Sequence, residues 1–214
     1  MEPHVIDAGL IDYTEALVLQ KKLWSRVKDG AYPYALIVCQ HSPVITLGRL
    51  ANPRNILVGN AILDKRGIRV VSAERGGEVT YHGPGQLVAY PICNLEDFGK
   101  DLYCFLRFLE QLVLELLKDY GIDATRTAGS TGVWIKGMKI ASIGIAVRQW
   151  ICFHGLSICV EKEDLANFSL IRPCGMDIIM TSIESLSARR IPVEEVKRSF
   201  VKIFNRNIVV PNPV

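Results

Sequence analysis

The sequence has no long hydrophobic run. Its longest uninterrupted apolar stretches, such as residues 35–39, are far too short to span a bilayer, so we expect neither a transmembrane helix nor a membrane partner. The start, Met1 to His4, lacks the basic cluster and the following apolar stretch of a secretory signal. We therefore expect a cytoplasmic protein.

Blocks of like charge are also missing. The 25 Lys and Arg residues and the 22 Asp and Glu residues are spread along the chain and leave a net charge of +3, which does not indicate nucleic-acid binding and is compatible with an acidic protein partner. With 49% hydrophobic residues the chain can bury a real core, which excludes a disordered or low-complexity protein. No linker divides it, and we expect residues 1–214 to form a single domain.

Metal and nucleotide motifs are absent. No two of the six cysteines are spaced as C-x-x-C, and no H-E-x-x-H occurs, so we expect no metal site. The glycines of residues 75–86 match neither a phosphate loop nor G-x-G-x-x-G. Without a disulfide framework, the cysteines are expected to be free thiols of a reducing compartment.

Alternating helical and strand patterns predict a mixed α/β fold. Helices are expected from Thr14, as the capping residue, to about Lys28, from Asp101 to Tyr120, and from about Pro192 onwards. Strands are expected at 34–41, 44–47, 68–73, 87–92, 132–135, 139–147 and 150–160. Because several strands follow one another directly, we predict an α/β sandwich with a mixed, largely antiparallel sheet and flanking helices.

One cysteine differs from the other five. Cysteines 39, 93, 104, 152 and 159 lie in periodic stretches and are predicted to be small buried hydrophobic residues. Cys174 stands between Pro173 and Gly175 in a segment without periodicity, two residues after Arg172. A thiol on a stiff loop near a cation can be reactive, but context alone leaves a reactive and an inert thiol equally open.

Lys139 is the second unusual residue. Strand alternation places it on the same face as Ile143 and Ile145, so it either snorkels at the strand end or reaches into a site. On the opposite face, the small residues Ser142 and Gly144 would leave room for a ligand, although Gly144 could equally mark a bulge.

The glycine-rich segment 75–86 is too dense in glycine for an ordinary hairpin. Its glycines would let the backbone approach a bound group closely, with Tyr81 and His82 lining the pocket. For His82, a structural hydrogen-bonding role competes with a role as acid or base.

Taken together, these segments resemble the octanoyltransferases, also called lipoyl(octanoyl) transferases. The resemblance rests on R-G-G-E-V-T-Y-H-G-P-G-Q at 75–86, T-G-V-W-I from 131, K-I-A-S-I-G from 139, H-G-L-S from 154 and P-C-G from 173. These motifs occur in the family's order over nearly the whole chain. The resemblance implies a fold similar to the catalytic core of lipoate and biotin protein ligases.

The resemblance also implies roles for individual residues. Cys174 matches the family's acyl-thioester nucleophile, and Lys139 matches the lysine that lowers the pKa of that thiol. The substrate-binding residues that it implies are Arg75, Gly76, Gly77, Glu78, Val79, Thr80, Tyr81, His82, Ser142, Ile143, Gly144, Gly155, Leu156 and Ser157.

The implied reaction moves an octanoyl group from octanoyl-acyl carrier protein to a lysine ε-amine on lipoyl domains of 2-oxoacid dehydrogenase and glycine cleavage complexes, the first step of endogenous lipoate synthesis. It needs no ATP and no cofactor, and we expect a monomer. Two alternatives stay open: an ATP-dependent lipoate or biotin ligase of the same fold, and a non-catalytic protein that binds acyl carriers or lipoyl domains.

Overall fold

The computed structural model describes residues 4–208, and of Cys174 it describes the backbone alone. The strands are β1 (His4–Ile11), β2 (Tyr34–His41), β3 (Val44–Leu47), β4 (Arg69–Ser72), β5 (Val79–His82), β6 (Gln86–Cys93), β7 (Val133–Ile135), β8 (Met138–Arg148) and β9 (Ile151–Cys159). The helices are α1 (Tyr13–Lys28), α2 (Asn60–Lys65), α3 (Leu102–Asp119), α4 (Ile183–Leu186) and α5 (Val193–Asn207). Short 3-10 turns occur at Pro53–Asn55, Leu95–Phe98, Glu163–Leu170 and Pro173–Gly175.

In the described part of the chain, the strands form a large and a small sheet. The large sheet has the order β1-β2-β6-β9-β8-β7, and only its β1–β2 pair is parallel. The small sheet has the order β4-β3-β5, with a parallel β3–β4 pair and an antiparallel β3–β5 pair. The predicted mixed, largely antiparallel architecture is therefore confirmed.

Strand β2 explains why helices cover both faces of the large sheet. Leu36 and Val38 join the core that α3 and α5 share, whereas Ile37 and Cys39 join the core under α1. A strand buried on both sides appears in the sequence as a continuous apolar run rather than an alternation. In this sheet β9 lies between β6 and β8, and β7 forms the edge beyond β8.

The structure corrects two predicted details at the N-terminal ends of helices. Asp12, not Thr14, caps α1, because the Thr14 backbone N–H donates to Asp12 Oδ1 at 2.8 Å. Pro192, which the sequence predicts at the first helical position of α5, instead stands at the capping position one residue earlier. Both errors shift a boundary by one or two residues and leave the helix itself in place.

Two elements have no counterpart among the predicted strands. Strand β1 is interrupted by Gly9 at φ +58° and by a register shift after Asp7, which hides any alternation. Strand β5 lies inside the glycine-rich segment, for which no strand is predicted, and it completes the small sheet.

The described cysteines are free thiols, as predicted. Four of them are buried, but Cys104 is exposed on α3, so the prediction that it is a packed core residue was wrong. It directly precedes Phe105 and lies five residues before Leu109, but it is outside their buried stripe. Within residues 4–208, no helix is both long and apolar enough to cross a membrane.

Candidate active site

A cavity of about 410 Å³ lies between strands β8 and β9 and the glycine-rich segment. Its lining includes all but one of the predicted substrate-binding residues: Arg75, Gly76, Gly77, Glu78, Val79, Thr80, His82, Ser142, Ile143, Gly144, Gly155, Leu156 and Ser157. Lys139 lines it as well. Three separate segments of the chain, 75–82, 139–144 and 155–157, therefore meet around one space.

Tyr81 is the predicted residue that lies elsewhere. Its hydroxyl donates to Asp164 Oδ2 at 2.6 Å, and its ring packs edge-on against Phe168. Because side chains alternate along β5, its neighbours Thr80 and His82 face the cavity instead. Tyr81 therefore attaches β5 to the segment that carries Asp164 and Phe168, outside the cavity.

Glycine is required where the glycine-rich segment meets β8. The Gly76 N–H donates to the Ile145 carbonyl at 2.8 Å, and a Cβ on Gly144 would lie 2.9 Å from the Gly76 carbonyl oxygen. Gly144 pairs with Gly155 in an unbroken register, so it is not a bulge. Its role is to permit the close approach.

Arg75 brings a buried cation to the cavity wall. Its guanidinium donates to the Thr46 carbonyl at 2.7 Å, to the Thr46 hydroxyl at 2.8 Å and to the Gly76 carbonyl at 3.0 Å. These bonds fix the start of the glycine-rich segment against β3.

Lys139 is buried with 2% of its surface exposed, so it does not snorkel to solvent. Its Nζ donates to the Thr131 carbonyl at 3.1 Å and lies 5.1 Å from the centre of the Trp134 ring. A Cβ on Gly132 would lie 2.7 Å from Lys139 Cε. The glycine therefore makes room for the lysine side chain.

The turn that carries Cys174 is attached to the site from both sides. Before it, the Arg172 N–H donates to the Asn55 carbonyl at 2.8 Å, and Asn55 Nδ2 donates to Glu78 at 3.0 Å. After it, the Lys139 N–H donates to the Ile179 carbonyl at 2.8 Å. The thiol of Cys174 lies outside what the structure describes, and its role stays a prediction.

Two histidines line the inner part of the cavity. Burial and then the nearby His41 hold the pKa of His82 well below its ordinary value, so His82 is neutral and is not a cationic acid near pH 7. Burial and then Arg75 lower the pKa of His154 to about 4. The backbone of His154 has φ +59°, which is rare for a residue with a side chain.

Several lining residues were not predicted: Tyr13, Tyr90, Thr131, Trp134 and His154. Thr131, Trp134 and His154 belong to family-like motifs, and these motifs were the sequence signal that could have identified them. Nothing near Tyr13 or Tyr90 in sequence marks them, because only the packing of α1 and β6 brings them to the cavity. Among the described residues, no cluster of His, Cys, Asp and Glu is arranged to hold a metal ion.

Comparison with known proteins decides the family. Residues 12–205 match the family model of the lipoyl protein ligase A/B catalytic domain. An octanoyltransferase of Geobacter metallireducens is 42% identical over 194 residues, which cover 90% of this chain and 87% of that protein. The chain belongs to this family. The resemblance seen in its motifs is thus confirmed.

Solved structures of the family's fold confirm the architecture. A lipoate-protein ligase A bound with ATP superposes with a TM-score of 0.81 at 16% identity, over 96% of this chain and 85% of that one. The biotin protein ligase of Aquifex aeolicus in complex with biotin and ATP gives 0.59 at 14% identity, over 95% and 69%. At these identities the likeness concerns the fold alone.

Proposed function

We propose that this chain is an octanoyltransferase that moves an octanoyl group from octanoyl-acyl carrier protein to a lysine of a lipoyl domain through a thioester on Cys174. The octanoyl transfer itself is supported directly by curated relatives of that name at about 40% identity over most of the chain. The carrier, the acceptor and the catalytic residues are the finer part of the proposal. The observation that carries it is the buried Lys139 at a cavity beside the Cys174 turn.

The first step forms an acyl-enzyme. The Cys174 thiolate attacks the carbonyl carbon of the carrier's thioester, the carbon–sulfur bond to the carrier breaks, and the carrier sulfur takes a proton from the Lys139 ammonium and leaves as a thiol, so that Lys139 is neutral for the second step. Free cysteine has a pKa of about 8.5, so a cation is needed to favour the thiolate at neutral pH. The proposed cation is the Lys139 ammonium, which contacts the Thr131 carbonyl and the Trp134 ring.

The second step forms an amide. The ε-amine of the acceptor lysine attacks the octanoyl-Cys174 carbonyl, the bond to Cys174 sulfur breaks, and the thiolate is released. The attacking amine must lose a proton, and Lys139, or a water that it orients, is the proposed base. Because an amide is more stable than a thioester, the reaction needs no ATP.

The acyl chain is proposed to lie along the apolar part of the cavity. Val88, Ile143, Leu156 and Leu106 line this part. Burying eight carbons at about 0.8 kcal/mol per methylene gives several kcal/mol of binding energy. The predicted residues of the glycine-rich segment that line the cavity, 75–80 and His82, would form the opposite wall.

The proposal also covers the domain organisation, the location, the oligomeric state and the acceptors. We take residues 1–214 as a single catalytic domain, which the family match to residues 12–205 supports. A cytoplasmic monomer is proposed, consistent with free thiols, which persist in a reducing compartment. Lipoyl domains of 2-oxoacid dehydrogenase and glycine cleavage complexes are the proposed acceptors.

Intact mass spectrometry tests the proposal. Incubation with octanoyl-acyl carrier protein should add one octanoyl group to the enzyme, and a lipoyl domain added next should take that group up. Cys174→Ser should abolish the adduct, whereas the exposed Cys104→Ser should keep it. An adduct that survives Cys174→Ser would contradict the assignment of the nucleophile.

The same experiment separates the ligase alternative, which the likeness to an ATP-bound ligase makes specific. A ligase would need free octanoate and ATP to modify the lipoyl domain. Transfer from the carrier thioester without ATP excludes that alternative. Modification that occurs only with ATP would overturn the transferase.

A further inference from the structure

The end of the cavity beneath α1 is polar. Its unpartnered atoms are Tyr13 Oη, Thr80 Oγ1, His82 Nδ1 and both ring nitrogens of His154. All are buried, all belong to residues that line the cavity, and none has a hydrogen-bond partner among the described residues. Such atoms are rare in folded proteins, so a cavity that collects several of them is built to hold a polar occupant.

This polar end lies far from the proposed reacting groups. His154 pairs with Ile145 across β8 and β9, six residues along β8 from Lys139. At about 3.3 Å per residue the two backbone positions are roughly 20 Å apart, a length that the lysine side chain, the acylated cysteine and the acyl chain share. An acyl chain that starts near Lys139 and follows β8 would point its methyl end towards Tyr13 and His154.

The position of the His154 ring is enforced by the backbone. Its left-handed φ of +59° is held by Gln20, whose Oε1 accepts from the His154 N–H at 2.8 Å. The ring then stacks on Tyr13 with 6.5 Å between ring centres.

The neighbouring His41, which lies away from the cavity, provides a comparison. His41 Nδ1 lies 2.8 Å from the Ile11 carbonyl oxygen, and its Nε2 lies 2.7 Å from the Tyr90 hydroxyl. His41 does not line the cavity. The same residue type in the same cluster is thus fully partnered where no ligand can reach it.

The groups at the polar end are neutral and offer both donors and acceptors. Burial raises the pKa of Tyr13 to about 12 and lowers that of His154 to about 4. Leaving such a buried atom unpaired costs more free energy than burying one methylene gains. Water can pair with these atoms, whereas an acyl methyl group cannot.

We propose that Tyr13, Thr80 and His154 hold water at this end of the cavity and thereby set an upper limit on acyl-chain length. The inference rests on the proposed function and deepens it. A chain shorter than octanoyl loses only the burial of its missing methylenes. A longer chain must displace water and leave polar atoms unpaired, so discrimination is steeper on the long side.

Acyl-carrier substrates with six-, eight-, ten- and twelve-carbon chains test this asymmetry through their kcat/KM values. The wild type should lose more activity between eight and ten carbons than between eight and six. Tyr13→Phe and Thr80→Val remove one polar atom each at nearly constant shape. Each should raise the ten-to-eight-carbon ratio about tenfold.

Tyr34→Phe is the matched control, because Tyr34 is buried against Phe204 and does not line the cavity. It should leave the ratio unchanged. Ratios within about twofold of the wild type in both cavity variants, with octanoyl transfer retained, would overturn the water-held limit. A wild type that transfers no acyl group would instead contradict the proposed function, so the two failures are distinguishable.

Discussion

Two buried lysines in this molecule have the same exposure and different surroundings. Lys139 and Lys197 each expose only 2% of their surface. Lys197 Nζ lies 2.9 Å from Asp7 and 2.8 Å from Glu194, two carboxylates that are half exposed. Lys139 contacts a backbone carbonyl and an indole ring at the cavity wall. Burial alone therefore does not distinguish the two lysines, and the adjoining cavity is the feature that makes Lys139 the proposed functional one.

The largest expected effect is on activity. Lys139→Met should reduce octanoyl transfer about 1,000-fold, the range of a lost acid–base group, and should shift the pH midpoint of Cys174 alkylation by iodoacetamide upwards. Lys197→Met is the matched control, and it should keep most of the activity when compared at equal folded fraction. An equal loss of octanoyl transfer in both variants, or an unchanged alkylation profile in Lys139→Met, would contradict the proposed difference between the two lysines.

The space beside Lys139 gives the next prediction. A Cβ on Gly132 would lie 2.6 Å from the Ala141 carbonyl oxygen as well as against Lys139 Cε. Gly132→Ala should lower the free energy of unfolding by about 3 kcal/mol, as expected for strain in a packed interior. Gly121 also has a positive φ, of +70°, but no atom lies within 4 Å of its added Cβ. Gly121→Ala should lower the free energy of unfolding, measured with urea, by only about 1 kcal/mol. Equal losses in the two variants would show that the residues around Lys139 can move to accommodate the added Cβ.

The cavity and the surroundings of Lys197 should affect the free energy of unfolding at opposite ends of the pH scale. In the cavity, His154 has a pKa of about 4, against about 6.5 in an unfolded chain. Between these values the unfolded state binds a proton that the folded state does not. The free energy of unfolding should therefore fall as pH falls from about 7 to about 4, by on the order of 3 kcal/mol.

His154→Asn tests this acid limb, because asparagine tolerates the left-handed backbone. Urea unfolding at several pH values should show a shallower loss in the variant than in the wild type. Burial also lowers the pKa of His82, so part of the slope should remain. An identical slope would show that His154 is not the titrating group.

The smallest effect belongs to Lys197 at alkaline pH. Burial opposes its charge, but the hydrogen bonds to Glu194 and Asp7 outweigh that effect and raise its pKa. The raised pKa stabilises the fold below about pH 10.4, the ordinary lysine value, and this stability is lost as pH rises further. Because both carboxylates are half exposed, Lys197→Met should cost only about 1 kcal/mol at pH 8. The difference from the wild type, measured by thermal unfolding, should shrink towards pH 11.

Local patterns predicted much of the fold. The apolar stripe after Asp101 became α3, and the tight turn between β7 and β8 places Lys136 at φ +49° and Gly137 at φ +83°, as such a hairpin requires. Strand β5 escaped prediction because the glycines around it suppress any alternation. Its partner β3 lies more than 30 residues away, at Val44–Leu47, and supplies the hydrogen bonds that local propensity does not.

The candidate site likewise combines residues that local motifs predict with residues that only tertiary packing brings in. The family-like motifs predicted that Arg75, Lys139 and the Ser142–Gly144 stretch belong to one site, since each motif can be recognised on its own. The contribution of Tyr13 could not be foreseen, because it depends on how α1 lies across β9. The left-handed backbone of His154, in the middle of a strand, contradicts local propensity and exists only through Gln20.

The backbone bonds on either side of Lys139 have a consequence for how this enzyme can vary. Its N–H donates to the Ile179 carbonyl, and its carbonyl accepts from the Thr181 N–H at 2.9 Å. The chain is thereby fastened to β8 five residues after Cys174. That interval works as a spacer of set length. Gly175, at φ +68°, and Met176, which lines the cavity, restrict substitution within it, and inserting or deleting one residue there should move the turn that carries Cys174 relative to Lys139.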